Sequence, residues 1–203
     1  CLTISVGFRA PSASELLEDY IDVLTFDADE SVRYDDPDAQ VAADPYEIDQ
    51  FALDRAWETM QRLKMDDPER FGEWFGRFIS SYRVAAGQSP SPEQGSTASV
   101  AETVADGVTW QRHPYSRMAW RRRADGSAQL FANASDWPVA SVEDAARICA
   151  AECIDAHVLA SLSPQGRALL QQLAEAGHYA PVDADEVYGE EDDGLYVTPD
   201  NED

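Results

Sequence analysis

The run Cys1-Leu2-Thr3-Ile4-Ser5-Val6-Gly7-Phe8-Arg9-Ala10 constrains the fold most, because it reads as a strand with no sheet beside it. Leu2, Ile4, Val6 and Phe8 alternate with small or polar residues, the period of a strand half-buried in a sheet. A lone strand needs neighbours to be stable. Pro11 instead turns the chain toward a helix, and the next strand-rich segment comes roughly a hundred residues later. No initiator Met precedes Cys1. The expectation is therefore a chain that begins on the last strand of a β-domain whose other strands lie upstream.

Helix signals follow. Ser12-Ala13-Ser14-Glu15 has the form of a capping box, opening a helix with Leu16, Leu17, Tyr20, Ile21 and Leu24 on its apolar face. Residues 27–44 are acidic, contain Pro37 and read as a loop. Asp44-Pro45-Tyr46-Glu47 then predicts the start of a second helix, whose apolar face is Ile48, Phe51, Ala52, Ala56, Met60 and Leu63. Asp67-Pro68-Glu69 repeats the signal for a third helix, which carries Phe71, Trp74, Phe75, Phe78, Ile79 and Tyr82 at helical spacing. Such an aromatic stripe fills a core or forms an interface between two copies, and both readings stand.

Residues 86–99 are rich in Ser, Pro and Gly and read as a linker. A short helix to Asp106, ended by Gly107, precedes strand patterns at 108–113, 117–122 and 129–132. The last two join through a turn at Ala124-Asp125-Gly126-Ser127. Ser141-Val142-Glu143-Asp144 caps a helix read through about Cys153, and a second helical stretch covers 156–162. Ser163-Pro164 starts another, with Leu169, Leu170 and Leu173 on one face and a stop at Gly177. Short helices around a hairpin are the layout of a winged-helix domain. Residues 183–203 contain no Lys or Arg and have the composition of a disordered acidic tail.

The formal net charge of −24 repels phosphate. It argues against non-specific nucleic-acid binding and against docking on anionic lipid, while attracting basic proteins or serving plain solubility. No apolar run reaches the ~20 residues of a membrane span, and no signal peptide is visible. Three cysteines make no disulfide framework, so cytoplasmic residence is expected.

An iron oxygenase centre on a sheet scaffold would show His-x-Asp or His-x-Glu, because residues two apart on a strand share a face. His113, His157 and His178 are followed at that spacing by Tyr115, Leu159 and Ala180, so no such pair exists. Cys149, Cys153 and His157 would share one face of an unbroken helix, but a fourth zinc ligand is missing and buried cysteine is the plainer reading. Arg117, Arg121, Arg122 and Arg123, interleaved with Trp120, form the basic cluster of the chain. They could meet nucleic-acid backbone or pair with carboxylates, and the balanced charge of 108–182 favours carboxylates.

Three stretches resemble the bacterial ribosomal oxygenases, JmjC-type members of the cupin superfamily. These are Ser5-Val6-Gly7-Phe8-Arg9-Ala10-Pro11 before a capped helix, Tyr34-Asp35-Asp36-Pro37-Asp38, and Phe71-Gly72-Glu73-Trp74-Phe75-Gly76-Arg77-Phe78-Ile79-Ser80. The match covers most of residues 3–82 in order and spacing, and the remainder is similar in layout rather than motif. The resemblance implies an Fe(II)- and 2-oxoglutarate-dependent hydroxylase of an arginine in a large-subunit ribosomal protein. It also implies a JmjC barrel whose iron ligands lie upstream of this chain, a helical dimerisation region and a winged helix. Ser5 then matches a position near the co-substrate pocket, and Phe71, Trp74, Phe75 and Phe78 fall in the homodimer interface.

The expected fold is accordingly mainly α with small β. Residues 1–11 are the last strand of a truncated JmjC/cupin barrel, 12–85 the helical dimerisation region, 86–99 the linker, 100–182 the winged-helix-like domain and 183–203 the acidic tail. This portion alone is expected to lack the iron triad, to hold no cofactor and to be inactive. A non-catalytic dimeric module that binds a basic protein is the competing reading. A winged-helix regulator of nucleic acid is a third, disfavoured by charge.

Overall fold

The computed structural model describes residues 10–26, 28–29, 31–35, 46, 48–82 and 89–182. The opening strand pattern and the acidic tail therefore lie outside the described residues. Among the described residues the chain is mixed α/β, with seven α-helices and two small antiparallel sheets, and no closed barrel. It divides into two compact units, Cys1–Phe75 and Gly76–Asp203.

In the first unit, α1 (Ala13–Phe26) opens on the capping box read from sequence. The Glu15 N–H donates to Ser12 Oγ at 3.1 Å, and the Ser12 N–H donates to the Glu15 carboxylate at 2.7 Å. Helix α2 (Gln50–Gln61) starts later than expected. Its cap is Asp49, which accepts the Ala52 N–H at 2.9 Å, whereas Asp44 and Pro45 lie outside the described residues. Helix α3 (Pro68–Ser81) is capped by Asp67, whose Oδ1 accepts the N–H groups of Glu69 and Arg70. The core of this unit is small: Tyr20, Leu24 and Trp74 are its buried hydrophobic side chains among the described residues. The Tyr20 ring lies 4.7 Å from Trp74 and 5.3 Å, edge-on, from Phe71. Trp74 Nε1 donates to Asp19 at 2.6 Å and the Tyr20 hydroxyl to the Met65 carbonyl at 3.2 Å, which satisfies both polar tips.

The second unit is built on α4 (Val100–Ala105), β1 (Thr109–Arg112), β2 (Met118–Arg122), β3 (Ala128–Ala132), β4 (Ser135–Val139), α5 (Val142–Ala150), β5 (Cys153–Ile154), α6 (Ala156–Ser161), α7 (Pro164–Glu175) and β6 (Tyr179–Val182). One sheet has the order β5-β1-β6 and the other β2-β3-β4. The 117–132 hairpin forms as read, with Trp120 opposite Leu130, and β4 extends it. The first strand of the sequence reading goes elsewhere: β1 pairs with β5 and β6, far along the chain. Trp110, Leu130, Ile148, Ile154, Leu170, Leu173 and Tyr179 are fully buried in a single cluster. The leucine stripe of α7 is thus core, as its spacing predicts.

Helix α5 stops at Ala150 rather than Cys153. Ala151 is already extended, and Cys153 pairs with Gln111 while the Glu152 carbonyl accepts the Arg112 N–H at 2.7 Å. The main-chain groups that would prolong the helix are claimed by the sheet. Cys149, Cys153 and His157 consequently sit on a helix, a strand and a second helix, not on one face.

Over residues 89–99, the segment read as linker lies against the end of α7. Ser96 N–H donates to the Ala174 carbonyl at 3.2 Å, and a Cβ at Gly95 would collide with the Glu175 carbonyl. The last part of α3 also joins this unit. Arg77 forms an ion pair with Asp136 at 2.6 Å, and Ser80 Oγ accepts the Ala134 N–H at 3.1 Å. Ala134 needs that support, because it follows Asn133 in a two-residue turn where both φ angles are positive.

Candidate interaction surfaces

Of the four residues expected at a dimer interface, the structure separates three roles. Trp74 is 4% exposed and fills the core of the first unit. Phe71 and Phe75 are 47% and 40% exposed. Together with Ala13, Leu16, Leu17 and Tyr20 they line an apolar groove of about 470 Å³. Phe78 is half-buried in the second unit, its ring 5.2 Å from Tyr82. Ser5, the candidate co-substrate residue, lies outside the described residues.

Helix α2 enlarges the apolar surface. It contains no buried residue, and Phe51, Leu53, Trp57 and Met60 are all exposed. Exposed large hydrophobics are thus gathered on this small unit.

The second unit shows how polar groups are held in a dry interior. Asp144, 1% exposed, accepts the Ser163 N–H at 3.1 Å and the Ser163 hydroxyl, tying α5 to the first turn of α7. A Cβ at Gly166 would stand 2.6 Å from this carboxylate, so glycine makes room for it. His178 Nδ1 lies 2.9 Å from Ser116 Oγ, and the ring meets Trp137 edge-on. Burial, with a smaller push from His113, lowers its pKa to about 4 and keeps the ring neutral. The Tyr179 hydroxyl donates to the carbonyls of Ile148 and Ala151, both at 3.0 Å, and burial raises its pKa. Burial likewise pushes the Cys149 thiol up to about 12.

No group of three His, Cys, Asp or Glu side chains among the described residues could hold a metal ion. The basic cluster sits on and beside β2. Arg117 donates to the Tyr82 carbonyl and Arg121 Nε to Gln129 at 2.9 Å. Gln129 passes the network on to Asp136 at 2.8 Å, and so to Arg77.

The helix pair α6–α7, turning through Leu162 and Ser163 beside the three-stranded sheet β5-β1-β6, is a winged-helix arrangement. A family model described as ROXA-like winged helix matches residues 62–180. The chain belongs to this family. The chain is 37% identical over 82 residues to the ribosomal protein uL16 3-hydroxylase of Escherichia coli, covering 40% of this chain and 22% of that protein. The crystal structure of Escherichia coli ribosomal oxygenase YcfD superposes with a TM-score of 0.67 at 24% identity, over 87% of this chain and 48% of that one. YcfD in complex with cobalt and succinic acid gives 0.66 at 25% identity, over 88% and 48%. This ROXA-like chain spans less than half the length of the relatives it matches. The resemblance to the C-terminal portion of a bacterial ribosomal oxygenase holds. No helix among the described residues is long and apolar enough to cross a membrane.

Sequence reasoning missed Asp144 and the Arg77–Asp136 pair. The Ser-x-x-Asp start of α5 carries a signal for Asp144, but its bond to Ser163 crosses 19 residues and no local pattern announces it.

Proposed function

We propose that this ROXA-like chain is part of a JmjC/cupin oxygenase that uses Fe(II) and 2-oxoglutarate to hydroxylate an arginine of a large-subunit ribosomal protein. The identity to a ribosomal protein hydroxylase carries this reading. Relatives in complex with cobalt and with succinic acid or 2-oxoglutarate support the cofactor assignment. Iron with 2-oxoglutarate supplies the oxidising chemistry, bound by residues upstream of the present ones. Ser5 contributes to the co-substrate pocket.

The role of these residues is to pair two copies and to supply the winged helix. Phe71, Phe75, Leu17 and the α2 face, exposed in one copy, are covered in the dimer, while Trp74 holds the surface in shape from behind. Burying such side chains contributes about 1.5–3 kcal/mol each, enough for a handful to sustain a dimer.

Two measurements test the reading. The gene, read upstream in frame, should encode a His-x-Asp and a distal His in a cupin-like region, and the full protein should add oxygen to an arginine of a ribosomal protein, read by mass spectrometry. Light scattering should report a dimer that Leu17→Glu or Trp57→Glu converts to monomer. Absence of the upstream motif, with a dimer that captures basic proteins, would support the non-catalytic interaction module instead.

A further inference from the structure

We propose that the cavity between α1 and the α2–α3 turn binds a small aliphatic carboxylate, whose head group is taken by Arg62, Lys64 and Arg70.

The cavity has a volume of about 320 Å³ and lies wholly within the first unit. Leu24, which is buried, lines it from α1, and Val32, Met60 and Leu63 add to the apolar wall. No aromatic ring lines it among the described residues, so a base or aromatic ligand finds nothing to stack on. Its volume falls at the small end of ligand cavities, which run from roughly 300 to 1,000 Å³. The wall therefore suits a short aliphatic body.

Charge selects the head group. The basic residues of the first unit are Arg9, Arg33, Arg55, Arg62, Lys64 and Arg70, and the last three line this one cavity. The side chains of Arg62 and Lys64 make no hydrogen bond or ion pair among the described residues, in a chain with 39 acidic residues. Arg70 is half-buried and donates to the Leu63 carbonyl at 3.3 Å, which fixes its guanidinium at the wall. Asp29 is the acid of the lining among the described residues, and its carboxylate accepts the Ser31 N–H at 2.9 Å. Guanidinium and ammonium groups only donate, so the complementary head is an anionic acceptor. The net charge of −24 penalises a doubly charged phosphate more than a singly charged carboxylate. Salt screens that distant field beyond about 8 Å, which leaves the lining to decide.

The backbone adds a separate observation. Lys64 has a φ of 51°, in the left-handed region that glycine or asparagine occupies at less cost. The other non-glycine residues with positive φ among the described ones, Asn133 and Ala134, share the β3–β4 turn. A lysine kept at such a position points to a use for its ammonium group.

The test is titration calorimetry of the full chain with octanoate. Octanoate should bind, and the double variant Arg62→Glu/Lys64→Glu should weaken it about tenfold or more. Octanol keeps the aliphatic body without the charge, and acetate keeps the charge without the body. Each should bind about tenfold more weakly than octanoate. Lys64→Gly separates the ligand from the fold. It should raise the urea midpoint, because glycine accepts the left-handed backbone, while weakening octanoate severalfold. Absence of octanoate binding overturns the proposal, as does full octanoate affinity in either variant. Octanol binding as tightly as octanoate overturns it by showing an apolar cavity that reads no charge. Acetate binding as tightly does so by showing surface cations that read no body.

Discussion

Phe131 leaves no room for a side chain at Gly76: a Cβ there would stand 2.3 Å from the ring. The glycine lets the last turns of α3, within the second unit, settle directly on the β2-β3-β4 sheet, where the neighbouring Arg77 reaches Asp136. That ion pair is partly exposed and is worth about 1 kcal/mol, so close packing of main chain on ring dominates the contact.

Gly76→Ala should therefore destabilise the fold by about 1–3 kcal/mol, the cost of overpacking, despite the better helix propensity of alanine. Urea unfolding of the two proteins measures it, and an unchanged or raised midpoint would contradict the contact.

Asp144→Ala removes the buried acceptor beneath Ser163 and leaves a part-buried N–H without its partner. The expected loss is about 3 kcal/mol, against about 1 kcal/mol for removing the exposed helix cap at Asp155. Chemical denaturation of both variants compares them directly.

His178 predicts a pH dependence with a definite sign. Its folded pKa, about 4, lies below the ordinary 6.5, so the unfolded chain binds the extra proton between those values. Stability from this group is complete above pH 6.5 and is lost as pH falls toward 4, on the order of 3 kcal/mol in all. Comparing unfolding free energies at pH 7 and 4.5 in the wild type and in His178→Gln isolates it, and the step should shrink in the variant.

Cys149 should react slowly with iodoacetamide at pH 7–8, because burial holds its thiol protonated up to about 12. Mass spectrometry of a labelling time course should show modification at Cys149 only once the chain is unfolded.

Local chemistry carried most of what the sequence revealed. The Ser12–Glu15 box, the Asp67 and Ser163 caps, the Gly177 stop with its φ of 87° and the hairpin turn at Gly126 each need only neighbouring residues, and each stands where it was read. Long-range pairing stayed hidden. β6 contains Pro181 and β5 is two residues long, so neither shows a strand pattern until β1 supplies the partner. Helix α2 begins at Gln50 rather than after Asp44, because the Asp49 side chain caps it by accepting the Ala52 N–H. The aromatic stripe was legible as a stripe, but its division into one core side chain and two exposed ones depends on where Tyr20 of α1 lies.

Helix α3 supplies Trp74 to one hydrophobic cluster and, two residues on, offers a bare Cα to the ring of Phe131. A change at almost any turn of it is felt by one packing partner or the other. Segments under two such demands have the fewest acceptable spellings. The stretch Phe71-Gly72-Glu73-Trp74-Phe75-Gly76-Arg77-Phe78 is thus where kinship should stay readable longest after the surrounding chain has drifted.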